Sequence, residues 1–279
     1  MREKIGRYAV LNIVLQPHPP GAYERLFRSA GDDKITVAYF GDRHARISPI
    51  GQVQDGFFSG RLATWLEIDS NGNVINKDTL DEYLLSESNF DLPNTIGFNS
   101  RIFNFSFRVS DHRLFVELIN DEGEKLSVAS AQKIIWRVLE AARLPSEELD
   151  VHIVSQASAV EYVLATPGLR KLEIVVNLPN PDVISGDSAE ELFASIDAMH
   201  AKQLRLELTK RADAPALELS PGVKKLAEMT QENGIATATG RSDDGSVVQR
   251  STKDLPSEVQ TVLATNESRA AATRRIARS

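Results

Sequence analysis

The chain of 279 residues contains no cysteine. It therefore has no disulfide, no thiolate ligand for a metal and no cysteine nucleophile, which is typical of a protein of the cytoplasm. No apolar run approaches the ~20 residues that a membrane-spanning helix needs. Residues 1–20 lack the small-residue cleavage site of a signal peptide. We expect a cytoplasmic protein with no membrane partner.

The sequence also lacks an excess of basic residues and the common catalytic motifs. Its net charge is −7, whereas a protein that binds nucleic acid through bulk charge is expected to be basic. It has no P-loop, no glycine-rich dinucleotide turn, no HExxH and no GxSxG. The histidines, none at metal-ligand spacing from another, are His18, His44, His112, His152 and His200. We predict no cofactor and no metal site, and assign no catalytic residue.

The clearest structural pattern lies between Arg101 and Asn120. Apolar and polar side chains alternate on both sides of a short polar segment, which is typical of a β-hairpin with one buried face. Pairing Val109 with Leu114 places both apolar rows on the same face, whereas a shift of one residue would expose one row. The pattern predicts a hairpin whose core side chains include Phe103, Phe105 and Phe107.

A helix is predicted to cover that hairpin. Ser127 can accept a hydrogen bond from the first turn, and apolar residues recur at helical spacing over 128–143. These are Ala131, Ile134, Ile135, Val138, Leu139 and Ala142. We expect residues 1–145 to form an antiparallel, β-rich domain packed against helix 128–143.

The pattern changes after residue 145. Strands alternate with helical segments over residues 146–265, which predicts a C-terminal α+β domain with a mixed sheet. Leu255 to Ala264 suggests a last helix. Residues 266–279 are rich in alanine and arginine and have no apolar stripe, so we expect a basic tail that is disordered unless bound. The expected fold class of the whole chain is α+β.

One compact basic cluster follows the second predicted strand. The segment 41–46 is interpreted as a polar loop, and Arg61 opens the strand that comes later in the chain. Guanidinium groups suit phosphate because their donors form a planar fork. The candidate nucleic-acid-binding residues are therefore Arg43, His44, Arg46 and Arg61. The alternative is that these side chains only solvate sheet edges and pair with nearby acids.

A metal-dependent nuclease is a second hypothesis. Residues 179–182 (PNPD) and 207–210 (ELTK) resemble the acidic and lysine residues of restriction-type sites. Glu207 and Lys210 are three residues apart, so strand alternation points them to opposite faces. A bound Mg²⁺ needs carboxylates that converge on it. A proline-rich loop and a half-exposed strand explain these residues equally well.

Three segments give the chain a family resemblance: 101–118 (RIFNFSFRVSDHRLFVEL) with the Trp136 helix, 171–182 (KLEIVVNLPNPD) and 238–252 (ATGRSDDGSVVQRST). Together they resemble an uncharacterised family of bacterial proteins of unknown function, some of them encoded near mobile elements and phage-defence genes. The C-terminal order of helix, strand, turn and strand is also similar to the Rex-type abortive-infection protein of temperate phage, which is associated with DNA binding and phage exclusion. Neither resemblance implies a catalytic residue.

We therefore expect a non-enzymatic component of bacterial antiviral defence that binds DNA or RNA, or a phage factor, and that forms a homo-oligomer. The arginine placement and the resemblance motivate this expectation. Two alternatives stay open, a metal-dependent nuclease and a protein–protein interaction module.

Overall fold

A computed structural model describes residues 4–69, 72–85, 93, 95–179 and 187–279. These residues form an α+β fold with the following helices: α1 (Ala22–Asp32), α2 (Val128–Ala142), α3 (Ala159–Leu164), α4 (Asp187–Ala198), α5 (Pro221–Glu228), α6 (Thr230–Asn233) and α7 (Arg269–Arg278). The strands are β1 (Ile5–Gln16), β2 (Val37–Phe40), β3 (Arg43–Ile47), β4 (Phe57–Leu66), β5 (Asn73–Ile75), β6 (Glu82–Leu84), β7 (Phe98–Arg108), β8 (Arg113–Glu117), β9 (Glu148–Ile153), β10 (Lys171–Asn177), β11 (Gln203–Thr209), β12 (Gly234–Arg241), β13 (Val247–Ser251) and β14 (Glu258–Val262).

A large sheet of eight strands organises the chain around β1. Its order is β14-β1-β8-β7-β4-β3-β2, and β9 also pairs with β1. Every one of these pairings is antiparallel. β1 is long enough to pair with β8 along one edge and with β14 and then β9 along the other. Its nearly continuous apolar sequence agrees with this central position.

The inner face of the large sheet, defined as the face against α1 and α2, holds the main core. Phe103, Phe105 and Phe107 are fully buried there, as the alternation predicts. Gly60 lies opposite Phe105, and a Cβ at this position would lie 2.5 Å from the Phe105 ring. The absence of a side chain at Gly60 on β4 therefore makes room for the Phe105 ring of β7.

The α2 helix agrees closely with the sequence prediction. Ser127 Oγ accepts a hydrogen bond from the Ser130 N–H at 3.1 Å, which caps the first turn. The predicted apolar stripe is buried against the inner face. The helix ends at Ala142, one residue before the predicted end.

The predicted register of the β7–β8 hairpin was wrong by two residues. Phe107, not Val109, pairs with Leu114. The wider turn is stabilised by Arg108, whose Nε and Nη2 donate to the two carboxylate oxygens of Asp111 at 2.8 and 2.7 Å. His112 adopts a positive φ of 57° in this turn. Because a shift of two residues preserves the alternation, the apolar rows still share one face.

The opposite, outer face of the sheet is partly covered by α7. Tyr8, Val10 and Phe115 on the sheet pack with Ala272 and Ile276 of the helix. The expectation of a disordered tail at 266–279 is therefore wrong over α7. The small apolar residues of this helix pack against the apolar side chains of β1 and β8. The helix predicted at 255–264 was also wrong, since β14 lies there and pairs with β1.

A smaller sheet of four strands, in the order β11-β10-β12-β13, forms the second core. Its pairings are all antiparallel, so the mixed sheet predicted from the alternation of strands and helices was wrong. The alternation misled because β10 and β11, although helix α4 lies between them in the chain, are antiparallel neighbours, and because β9 joins the large sheet. β12 and β13 form a hairpin at one edge of this sheet.

Polar contacts join the two sheets at the outer face of β1. Asn12 Nδ2 donates to Asn233 Oδ1 at 2.8 Å, and Arg113 forms an ion pair with Glu232. Strands β9 and β14 follow residue 145 in the chain, yet both belong to the large sheet. The large sheet therefore contains strands from both sides of the boundary expected at residue 145. The division of the chain into two domains at that residue stays a prediction.

Candidate nucleic-acid interface

Strand alternation separates the four predicted binding residues. The expected loop at 41–46 is in fact a tight turn followed by β3, with Gly41 at a positive φ of 50°. Arg43 has the same parity as the buried Ala45 and lies on the inner face. His44 and Arg46 point to the outer face. An irregular loop at 41–46 would have allowed Arg43, His44 and Arg46 to point the same way, whereas a strand does not.

Three of the predicted residues do share the outer face, on β3 and β4. The His44 ring stacks near that of Trp65, with centroids 6.4 Å apart and planes 25° from parallel. Arg46 pairs with Ala63 across the two strands, and Arg61 is its diagonal neighbour on the same face. Such diagonal positions are ~7–8 Å apart, so the two guanidinium groups can contact neighbouring phosphates.

Helix α7 adds two arginines that the sequence analysis assigned to a tail. Arg274 and Arg278 are one helical turn apart and lie on the same side of α7. Together with Phe57, Ser59 and the amides Gln52 and Gln54 they line a depression of about 330 Å³. Ser59 is on β4, two residues before Arg61, and therefore faces the same way. The outer side of the molecule thus presents Arg46, Arg61, Arg274 and Arg278, here called the arginine face.

The charges of the arginine face are largely uncompensated. No carboxylate among the described residues lies within ion-pair distance of Arg46, Arg61 or Arg274. Arg278 lies 3.5 Å from Asp55, and both side chains are well exposed. Exposed pairs of this kind contribute little stability, so Arg278 can exchange its partner. A local cationic surface therefore exists on a chain whose net charge is −7.

Buried polar contacts hold α7 in place next to these arginines. The Arg269 guanidinium is 3.1 Å from Glu117 Oε1 and 3.0 Å from Asp121 Oδ1. The other oxygen of Glu117 accepts hydrogen bonds from the N–H and the side-chain amide of Asn104 at 2.9 and 2.7 Å. Glu117 is fully buried, so its charge depends on these donors. The network fixes the helix that presents Arg274 and Arg278.

The residues suggested for a nuclease site have other partners. Glu207 forms an ion pair with Lys171 at 2.9 Å, and Lys210 Nζ donates to the Ala214 carbonyl at 2.8 Å. Residues 180–182 of the proline-containing segment lie outside the described residues. Within the part of the chain that is described, no three His, Asp or Glu side chains converge as a metal site would need.

A larger cavity of about 890 Å³ lies in the C-terminal half, between α3, α5 and the loop before α5. Its lining mixes apolar residues such as Val160 and Leu217 with charged ones such as Glu161 and Lys224. The cavity identifies no partner, and the hypothesis of a protein–protein interaction module stays a prediction.

His152 is a titratable group on β9 at the junction of the two sheets. Burial lowers the pKa of its imidazole to about 4, against the opposing effect of the nearby Asp150 carboxylate. Nε2 is buried and has no hydrogen-bond partner among the described residues. The imidazole of His152 is therefore neutral in the folded protein at neutral pH.

Comparison with known proteins decides the family and nothing about activity. The sequence matches the model of a domain of unknown function, DUF4747, over residues 4–278. The chain belongs to the DUF4747 family. No curated protein matches the sequence. Among the described residues, no helix combines the length and apolar character needed to span a membrane.

Proposed function

We propose that this DUF4747 protein is a non-enzymatic nucleic-acid-binding protein, and that its arginine face contacts the phosphate backbone. The observation that supports this proposal best is that four arginines from β3, β4 and α7 share one side of the molecule. Three of them have no carboxylate partner within the described residues. Arginine donors suit phosphate oxygens geometrically, and backbone contacts supply most of the affinity of such proteins.

The neighbouring rings favour a single strand over a duplex. Trp65 and His44 form a stacked pair on the same face as Arg46 and Arg61, and Trp65 Nε1 is held by Glu67 at 2.7 Å. Bases of a single strand can stack on aromatic rings without sequence preference, while a duplex keeps its bases inside. The proposed ligand is therefore single-stranded DNA or RNA.

A salt-titrated binding assay tests this function. Labelled single-stranded DNA, RNA and duplex DNA are each titrated with purified protein, with and without Mg²⁺. We expect binding that weakens with salt, is stronger for single strands and leaves the nucleic acid intact. Cleavage that requires Mg²⁺ would favour the nuclease instead. No binding at low salt would contradict the proposal and direct attention to a protein partner.

The role in antiviral defence rests on the family resemblance and is tested separately. Phage are plated on bacteria that express the wild-type chain or the R46Q/R61Q variant at matched levels. We expect protection from wild type and a loss of protection from the variant. Equal plaque counts on all strains, including one without the gene, would contradict the defence role without affecting the binding proposal.

Oligomerisation and a cytoplasmic location belong to the same proposal. Sedimentation of the purified chain measures the oligomeric state, for which we expect a mass above that of the 30.8 kDa monomer.

A further inference from the structure

A second basic site lies on the other side of the large sheet, where α2 begins. A depression of about 280 Å³ opens between the β2–β3 turn, β7 and the first turn of α2. Four cationic side chains from β3, β7, the preceding loop and α2 converge on it: Arg43, Arg101, Lys125 and Lys133. Arg43 is one of the candidate binding residues of the sequence, and Lys125 and Lys133 become its neighbours only through the fold.

Arg43 and Arg101 are partly buried, whereas Lys125 and Lys133 are exposed. The Nη1 atom of Arg43 is buried and has no hydrogen-bond partner among the described residues. A buried guanidinium donor without an acceptor is unfavourable, because it has lost water without gaining another partner. Because Arg43 lines the depression, a rotation of its guanidinium toward an anionic oxygen there would satisfy this donor, which no protein group in the described structure does.

The other groups around the depression also favour an anion. Arg101 Nε lies 3.0 Å from Glu124, and that carboxylate is half exposed. Lys125 and Lys133 have no carboxylate within ion-pair distance in the described part of the chain. The first turn of α2 contains no acidic residue, and its leading N–H groups and helix dipole add positive potential.

An exposed aromatic ring stands at the same place. Phe40 lines the depression and is 74% exposed, which is unusual for a phenylalanine in a strand. The β2–β3 pairing shifts register between Ala38 and Phe40, and such bulges redirect side chains. A flat apolar ring beside a group of cations matches a ligand that has both a base and a phosphate.

We propose that this depression binds a nucleoside phosphate, with the phosphate against Arg43, Lys133 and the start of α2, and the base against Phe40. A phosphate monoester has a charge of about −1.5 to −2 at neutral pH, which suits several converging cations better than an internal phosphodiester does. The ligand is a free mononucleotide or the 5′-terminal nucleotide of a strand. This site is separate from the arginine face and does not depend on the function proposed for it.

Calorimetric titration of the full chain tests the proposal with AMP, adenosine, inorganic phosphate and an oligonucleotide with or without a 5′-phosphate. We expect AMP and phosphate to bind and adenosine to bind much more weakly. Arg43→Gln should weaken AMP binding at least about tenfold, since it removes charged hydrogen bonds. Arg211→Gln is the control, at an exposed arginine of the C-terminal half that belongs to neither proposed site, and it should leave AMP binding unchanged.

Two further variants keep the result interpretable if Arg43→Gln folds poorly. Lys133→Gln, at an exposed position, should weaken both AMP and phosphate. Phe40→Ala should weaken AMP and leave phosphate unchanged. Tighter binding of the 5′-phosphorylated strand than of the same strand without the phosphate identifies a strand end as the ligand, and equal affinity for the two strands identifies a free nucleotide. Equal affinity for adenosine and AMP, no AMP binding at millimolar concentration, or equal losses in Arg43→Gln and Arg211→Gln would overturn the proposal.

Discussion

The two faces of the large sheet are built from the same strands but have different roles. On the inner face, α1 and α2 bury a continuous apolar core around three phenylalanines. On the outer face, α7 covers β1, β7 and β8, and the part formed by β3 and β4 keeps arginines in contact with solvent. Strand alternation makes this division possible, because each residue of a strand belongs to one face only. Loss of a buried inner-face side chain should therefore lower mainly stability, and loss of an exposed arginine of the outer face should weaken mainly binding.

Truncation of an inner-face aromatic tests this division most strongly. Phe105→Ala should lower the free energy of unfolding by about 3–5 kcal/mol, since it leaves a cavity in a fully packed core. Urea denaturation measures the change. The matched control is Ile102→Ala, on the outer face of the same strand, where the side chain is 45% exposed. A similar loss in both variants would contradict the division.

The next largest effect is expected where α7 attaches to the outer face. Arg269→Ala should lower the free energy of unfolding by about 3 kcal/mol, because Glu117 is left as a buried, unpaired charge. The double variant R269M/E117M removes both charges and should recover most of the loss in urea denaturation. If the double variant is as unstable as the single one, the buried charge is not the cause.

A smaller effect, dependent on pH, is expected at His152. The pKa of this group is about 4 in the folded protein and 6.5 at its ordinary value. The unfolded chain therefore takes up the proton first, and stability falls as pH decreases through this range. Between pH 7.5 and 5 the loss attributable to His152 is about 2 kcal/mol.

Denaturation of wild type and His152→Gln over that range measures the contribution. We expect a flatter pH dependence in the variant, and an unchanged one in the control His200→Gln, at an exposed position. Parallel profiles for wild type and His152→Gln would show that the histidine does not titrate as described.

The smallest effect on stability is expected on the arginine face. Arg46→Gln should change the free energy of unfolding by less than about 0.5 kcal/mol, as surface substitutions usually do. The same change should weaken binding of single-stranded nucleic acid several-fold, because it removes one phosphate contact. Denaturation and binding measured on one preparation test both parts. A large loss of stability would mean that Arg46 is structural and would remove it from the binding surface.

The local patterns in the sequence were sufficient for the inner face and insufficient for the outer one. The α2 stripe and the phenylalanine alternation lie within 20-residue windows, and both were confirmed. The hairpin register was wrong by two because any even shift preserves the same face. The α7 prediction failed because its partners on the sheet, among them Tyr8 and Phe115, are far away in sequence.

The candidate site was predicted in part for the same reason. Arg46 and Arg61 were identified from their residue type, and the structure places them on one face with Trp65. Arg274 and Arg278 were missed because the helix that presents them was taken for a tail. Arg43 was grouped with the wrong neighbours because the polar residues of 41–46 do not indicate that a strand begins there. It is the pairing of β3 with β4 that places Arg43 on the inner face and Arg46 and Arg61 on the outer face.

The salt dependence of binding to single-stranded nucleic acid shows whether the arginine face contacts the phosphate backbone. The wild-type chain is compared with R46Q/R61Q/R274Q and with R170Q/R205Q/R211Q, which removes the same charge from the C-terminal half. If the arginine face contacts phosphates, the slope of log K against log salt should become shallower by about 2 in the first variant and stay unchanged in the control. Equal slopes for wild type and the first variant would contradict the account.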